Sequence, residues 1–185
     1  MKRLSYIFAV AMAAILSPFA NAADAQRPEK KMEPSRVMQV LLDDNAKDFF
    51  ETAASANLFE IESSQLALQR ATDPALKAFA KRMVQDHEKA GRELKALARK
   101  KDVTLSTQLL RRHKAMLDDL RDEKQGPEFD DEYRRKMIAS HKEAVSLFDE
   151  VATDAKDPDI KAFAAKTLPT LQAHGGSAQE LREPD

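Results

Sequence analysis

The chain writes the same helix start twice. DPALKAFA, which begins at Asp73, and DPDIKAFA, which begins at Asp157, share six of eight residues, and each segment runs on to a histidine. Aspartate is a favourable N-cap and proline suits the first helical position, so each Asp-Pro pair ends one helix and begins the next. The repeat therefore predicts two helical hairpins in one chain.

Apolar residues at three- and four-residue spacing predict four long helices. They cover about 46–71, 74–100, 128–155 and 158–174, and a short helix at about 107–120 lies in the long connection. Two hairpins joined by one long crossover have the connectivity of a ferritin-like four-helix bundle. The composition, with only four glycines, is typical of an all-α domain, which we expect over residues 45–182. Pro169, deep in the last helix, predicts a kink or a local unwinding there.

The first residues have the features of an export signal. Lys2 and Arg3 precede the apolar run LSYIFAVAMAAIL, and the small residues that end at Ala22 fit a cleavage site. This pattern predicts a secretory signal peptide over 1–22 with cleavage after Ala22, because the run is too short for a membrane span. The polar segment 23–44 is expected to be a disordered leader. With no later apolar run and no cysteine, we expect a periplasmic protein without a transmembrane segment in the mature chain and without disulfides.

Several function classes find no support in the sequence. A net charge of −1 leaves no electrostatic footprint for nucleic acid. The lack of cysteine excludes thiol catalysis, and there is neither a glycine-rich phosphate loop nor a Gly-x-Ser-x-Gly elbow. The sequence thus favours a non-catalytic protein over an enzyme.

Three of the four histidines fall on inward-facing apolar stripes, and they are His87, His141 and His174. Counted from the Asp-Pro joints at about 1.5 Å per residue, their heights along the bundle differ by only about 5 Å. They are therefore expected to share one layer. His113, within the charged segment RRHK, is expected to be a solvated surface residue.

A carboxylate of the first helix can complete this layer. Glu62 falls on the apolar line of Leu58 and Leu66, whereas Glu60 is nearer in height to His87 but lies on a flank. Periodicity favours Glu62 and leaves Glu60 open. Three imidazoles and one carboxylate suit a single Zn, Cu or Fe ion. The same layer can instead be a metal-free hydrogen-bond network that fixes the packing of the bundle.

The chain resembles the family of exported bacterial proteins that carry domain of unknown function 4142, which are often labelled outer membrane proteins. The similar segments, which together span about residues 46–181, are NLFEIESSQLAL, DPALKAFAKRMVQDHEKAGRELKALA and FDDEYRRKMIASHKEAVSLFDEVATDAKDPDIKAFAAKTLPTLQAH. The resemblance implies a ferritin-like fold and an envelope location. It implies no reaction.

The resemblance also implies a set of functional positions. Matched motif by motif, they are Glu60, Asp86, His87, Tyr133, His141 and His174. The chain departs from the family after the last histidine, where Gly175 and Gly176 each cost a helix about 1 kcal/mol and predict a weak last turn. No histidine has a glutamate three residues before it, which argues against a ferroxidase-type di-iron centre.

These observations lead to three hypotheses. The first is a non-catalytic bundle that binds one metal ion through the inner layer and serves metal handling or envelope stress tolerance. The second is a metal-free structural or interaction module, with an envelope protein or a second copy of the chain as its partner. The third is a metal-dependent oxidoreductase.

Overall fold

The computed structural model describes residues 44–181. In this range the chain is all α-helical, with α1 at Asp44–Arg70, α2 at Pro74–Lys100, α3 at Arg111–Asp122, α4 at Pro127–Asp154 and α5 at Pro158–Glu180. None of these helices is long and apolar enough to cross a membrane. The predicted signal peptide 1–22, its cleavage site and the leader up to residue 43 lie outside the described residues.

The four long helices are confirmed, and the structure corrects three details. The short helix α3 begins at Arg111 rather than near Thr107. The last helix is continuous through Pro169, so the predicted local unwinding is wrong. It also runs past Gly175 to Glu180, because His174 and Ala178 are both buried and their packing outweighs the low helix propensity of the glycines.

The long helices enclose a common interior. The helices that flank each Asp-Pro joint pack together, α1 with α2 and α4 with α5, and the contacts of α1 with α4 and of α2 with α5 close the ring. The short helix α3 packs across α1 and α4.

The interior consists of two apolar clusters. One includes Phe59, Met83, Met137 and Ala178. The other includes Ala53, Leu94, Ala144 and Leu171. On each long helix, the candidate site residues fall between a member of one cluster and a member of the other. A polar layer thus lies between the two apolar clusters.

The first Asp-Pro joint is held by Asp130, a buried carboxylate in the first turn of α4. It accepts hydrogen bonds from the backbone N–H of Thr72 at 3.0 Å, the Thr72 hydroxyl at 2.6 Å and the N–H of Asp73 at 2.9 Å. Asp73 in turn accepts from the N–H of Ala75 at 2.7 Å and caps α2. The start of α2 is therefore fixed against the start of α4.

The second joint is held by Lys101, at the end of α2. Its ammonium group lies 2.5 Å from a carboxylate oxygen of Asp157 and 2.7 Å from one of Asp159, with only 9% of the lysine side chain exposed. Asp157 also caps α5 by accepting from the N–H of Asp159 at 2.9 Å. The two joints thus set the relative heights of the helices that carry the histidines.

The expectation that His113 lies on the surface is wrong. Its side chain is 1% exposed, its Nδ1 lies 2.6 Å from the Ser55 hydroxyl, and its ring stacks on Phe59 with centroids 6.0 Å apart. Neighbouring helical positions point about 100° apart, so Arg112 and Lys114 reach solvent while His113 faces α1. The charged residues beside His113 in the sequence therefore do not predict the direction of its own side chain.

Replacing Asp130 tests the first joint. Asp130→Ala leaves three donors of the joint without their acceptor, so the free energy of unfolding should fall by about 2–3 kcal/mol. The exposed Glu128→Ala, in the same turn, should change it by about 0.5 kcal/mol at most. Urea unfolding of the metal-free variants measures both values, and equal losses would contradict this account.

Burial lowers the pKa of His113 below its ordinary value of 6.5, so the unfolded chain takes up its proton first as the pH falls. Stability from this residue is therefore complete above about pH 6.5 and decreases below it. We expect metal-free His113→Gln to lose less stability than the unmodified protein between about pH 7.5 and about pH 5.5. Unfolding titrations with a chelator present check this, and parallel pH profiles would disprove it.

Candidate metal centre

Three buried histidines meet in the polar layer. His87 of α2, His141 of α4 and His174 of α5 are each at most 5% exposed. Their ring centroids lie 5.7, 5.5 and 5.5 Å apart, and one nitrogen of each ring lies within 4.8 Å of the other two. The common layer expected from the helix heights is therefore present.

The outward-facing nitrogen of each ring is held by a different acceptor. His87 Nδ1–H donates to the Asn57 side-chain oxygen at 3.3 Å, and His141 Nδ1–H to the Met137 carbonyl at 2.8 Å. His174 Nε2–H donates to Asp86 at 2.9 Å. An amide, a backbone carbonyl and a carboxylate thus fix the orientation and tautomer of the three rings, as outer-shell partners do in metal sites.

The remaining nitrogens have no hydrogen-bond partner within residues 44–181. They are His87 Nε2, His141 Nε2 and His174 Nδ1, all fully buried. With the proton on the other nitrogen, each presents a lone pair, and lone pairs cannot satisfy one another. A cation fits this donor set. Nitrogens that share an ion at about 2.0–2.1 Å lie at most about 4 Å apart, so closure needs a movement of less than about 1 Å.

The surroundings of His87 and His174 favour the neutral form of these two rings. Burial lowers the pKa of His87 well below its ordinary value, and the neighbouring His141 and His174 lower it further. Burial also lowers the pKa of His174, although the bond to Asp86 opposes this effect. Neutral imidazole is the form that binds metals, so these two rings are ready for an ion at neutral pH.

The structure places Glu60 beside the histidines. The carboxylate is 2% exposed, it accepts a hydrogen bond from the Ser140 hydroxyl, and Oε1 lies 3.6 Å from His141 Nδ1. It therefore approaches the outward nitrogen of His141 and does not belong to the cluster of facing nitrogens. Burial raises its pKa.

Glu62, the residue favoured by periodicity, is not in the layer. Its carboxylate is one-third exposed and pairs with Arg121 of α3 at 3.0 Å. The fully buried face of α1 instead runs through Phe59, Ser63 and Ala67. The apolar line of Leu58 and Leu66 is only half-buried, so it marks the edge of the buried face.

Two glycines give the layer its space. A Cβ on Gly91 would lie 2.7 Å from the amide nitrogen of Asn57, the residue that holds His87. A Cβ on Gly175 would lie 3.3 Å from the Cβ of His141. Gly175 therefore lets α5 approach α4 at the height of the histidines, which sequence reasoning took only as a weak helix end.

Sequence reasoning missed the residues that hold the rings. No pattern in the sequence pointed to Asn57, and the resemblance pointed to Asp86 without giving it a partner. Asp86 contacts the histidine of another helix, His174, rather than the adjacent His87. Tyr133, also implied by the resemblance, is buried and lies 2.9 Å from the Ser64 hydroxyl, one helical turn away from Met137. Spacing within one helix carries no signal for such contacts.

Comparison with known protein families matches residues 31–181 to domain of unknown function 4142. The chain belongs to this family. None of the curated proteins matches it.

Two solved structures share the fold of this family member. CopM in the Cu(II)-bound form aligns with a TM-score of 0.60 at 24% identity, covering 71% of this chain and 91% of CopM. CopM in the Cu(I)-bound form aligns with a TM-score of 0.59 at 23% identity, covering 72% of this chain and 92% of CopM. At this level of identity, the similarity establishes the shared fold.

The two adjacent glycines of α5 offer a matched test of the site geometry. Gly176 has nothing within 4 Å of an added Cβ, so Gly176→Ala should raise the free energy of unfolding by about 0.5–1 kcal/mol through helix propensity alone. Gly175→Ala gains the same propensity but crowds His141, so its net gain should be clearly smaller or negative. Chemical unfolding of the metal-free variants measures the difference. Equal gains would show that α4 and α5 do not need this close approach.

Proposed function

We propose that this protein binds one copper ion through His87, His141 and His174 and handles that ion in the bacterial envelope without chemical turnover. The observation that carries the proposal is the set of three facing nitrogens, buried and without a hydrogen-bond partner in the described residues. An apolar core gains nothing from three such atoms in one place. A bound cation would satisfy all of them together.

Two arguments select copper. Nitrogen sites bind Cu(II) more tightly than the other divalent first-row metals, following the Irving–Williams order. The two structures that share the fold belong to CopM in copper-bound forms. Zinc and iron, which also accept imidazole ligands, remain the competing ions and are included in the test.

Location and architecture complete the proposal. We infer that residues 1–22 form a signal peptide cut after Ala22, that 23–44 form a leader, and that 45–182 form a ferritin-like bundle of two αα-hairpins in the periplasm. The partner is then an envelope protein that delivers or accepts copper, or a second copy of the chain. Glu60 is proposed to supply negative charge beside His141 rather than to act as a primary ligand.

A metal-free layer is the second candidate function. The hydrogen bonds of Asn57 with His87, of Asp86 with His174 and of Ser140 with Glu60 would also hold the four helices in register without an ion. The protein would then be a structural or interaction module. No arrangement of residues within 44–181 specifically favours the third hypothesis, a metal-dependent oxidoreductase.

Elemental analysis of untagged protein, purified from its native export and from a copper-supplemented culture, tests the proposal. Near-stoichiometric copper is expected, and it should be lost in His87→Ala, His141→Ala and His174→Ala because each removes one of three ligands. His113→Ala is the matched control, since His113 is an equally buried histidine outside the cluster. The mass of the purified protein also shows whether the chain is cleaved after Ala22.

Two glutamate variants distinguish the role of Glu60 from that of Glu62. Circular dichroism confirms that each variant is folded. Glu62→Gln should keep full copper, and Glu60→Gln should keep the stoichiometry with a weaker affinity. Stoichiometric zinc or iron in place of copper would retain the site and replace the ion. If the unmodified protein binds neither copper, zinc nor iron, and the histidine variants are only less stable, the layer is a metal-free network.

A further inference from the structure

We propose that the ion reaches the histidines between α2 and α5, through a gap bordered by Ala90 and Thr167. This inference rests on the proposed function, because it concerns the same three histidines. A fully buried site needs a path for its ion, and the described residues offer two places where a surface cavity adjoins the layer.

The first place lies between α2 and α5. A small inner cavity of about 30 Å³ adjoins the layer and is lined by His87 and His141. Ala90 and Thr167 line this cavity as well as an outer cavity of about 120 Å³ that opens at the surface beside Asp86. The methyl group of Ala90 and the side chain of Thr167 thus lie between the two spaces, and a displacement of these side chains would widen the gap.

The second place lies between α1, α2 and the crossover. A groove of about 440 Å³ shares Asn57 and Leu94 with the inner cavity. Leu94 is 3% exposed, and Asn57 is held by its bond to His87, so opening this side would release one of the rings. Lys95 and Arg99 also line the groove, and two cations at its rim repel a metal ion.

The surface cavity between α2 and α5 has a more favourable charge. Two acidic residues, Asp86 and Glu93, and two basic residues, Lys89 and Lys166, line it, so its formal charge is balanced. Glu93 and Lys166 pair across the two helices at 2.7 Å, with 68% of the lysine side chain exposed, and such a pair opens at little cost. Asp86 is 38% exposed and bonds to His174, so one carboxylate connects the surface with a ligand of the site.

The sequence of α5 makes the helix easier to deform on the side where the gap lies. Pro169 lies two residues beyond Thr167 inside the helix and has no N–H to give to the carbonyl of Ala165. The helix therefore lacks one backbone hydrogen bond beside the gap. An excursion of this turn would move Thr167 while the ends of α5 stay held by Asp157 and by the packing of Ala178.

Stopped-flow loading of the metal-free protein with Cu(II) tests the path. Ala90→Leu fills the gap and should slow loading at least tenfold, with unchanged copper at equilibrium. Ala54→Leu, the matched substitution in the groove beside the crossover, should load at the unmodified rate. Pro169→Ala restores the backbone donor and should raise stability while it slows loading, a combination that a purely structural role for Pro169 would not produce.

The outcomes separate the path from the site. Unmodified protein that takes up no copper overturns both the path and the proposed function. Normal loading in Ala90→Leu together with slow loading in Ala54→Leu assigns the path to the crossover side and overturns only this inference. Ala90 also lines the inner cavity, so the leucine of Ala90→Leu can disturb the site itself. If this variant binds less copper at equilibrium, its loading rate does not test the path, and Pro169→Ala tests it instead. Loading that is no slower in that variant overturns the path.

Discussion

A buried imidazole can keep a lone pair free only when its other nitrogen is held, and the rest of this structure depends on that constraint. Left alone, each ring of the layer would turn until its unpaired nitrogen met a donor. The acceptors on the outer side prevent this, because they take the proton and fix the tautomer of His87, His141 and His174. The layer is therefore pre-organised for a ligand and does not satisfy itself.

The requirement extends outward from the rings to the backbone. A Cβ at residue 91 would displace the Asn57 amide that holds His87, and a Cβ at residue 175 would crowd His141 where α4 and α5 meet. The heights of the helices matter equally, since a shift of one turn, about 5.4 Å, would separate the rings. Each helix pair is set at its joint, the first by Asp130 and the second by Lys101. The repeated Asp-Pro start thus serves the site as well as the fold.

The helices could be predicted from the sequence because apolar spacing and Asp-Pro punctuation are local signals. The three histidines of the layer could be found for the same reason, since each lies on the stripe of its own helix. Contacts between helices could not. His113 was misplaced because its charged neighbours were given more weight than its own direction, and Glu62 was preferred because the half-buried line through Leu58 was taken for the centre of the buried face. Periodicity places a buried face to within about one residue, or about 100°, which is enough to exchange a buried side chain for an exposed one.

The charge of the layer bears on the kind of metal site that is proposed for it. Carboxylates dominate di-iron bundles, whose clustered negative charges repel one another when no metal is bound. Here the facing groups are imidazoles, which carry no negative charge, and the carboxylate beside them, Glu60, lies outside their cluster. Imidazoles avoid the repulsion between carboxylates that an empty di-iron site has, so the same fold could exist with and without an ion. Such a layer would suit the proposed uptake and release of copper, whereas a resident catalytic cofactor gains from ligands that are unstable alone.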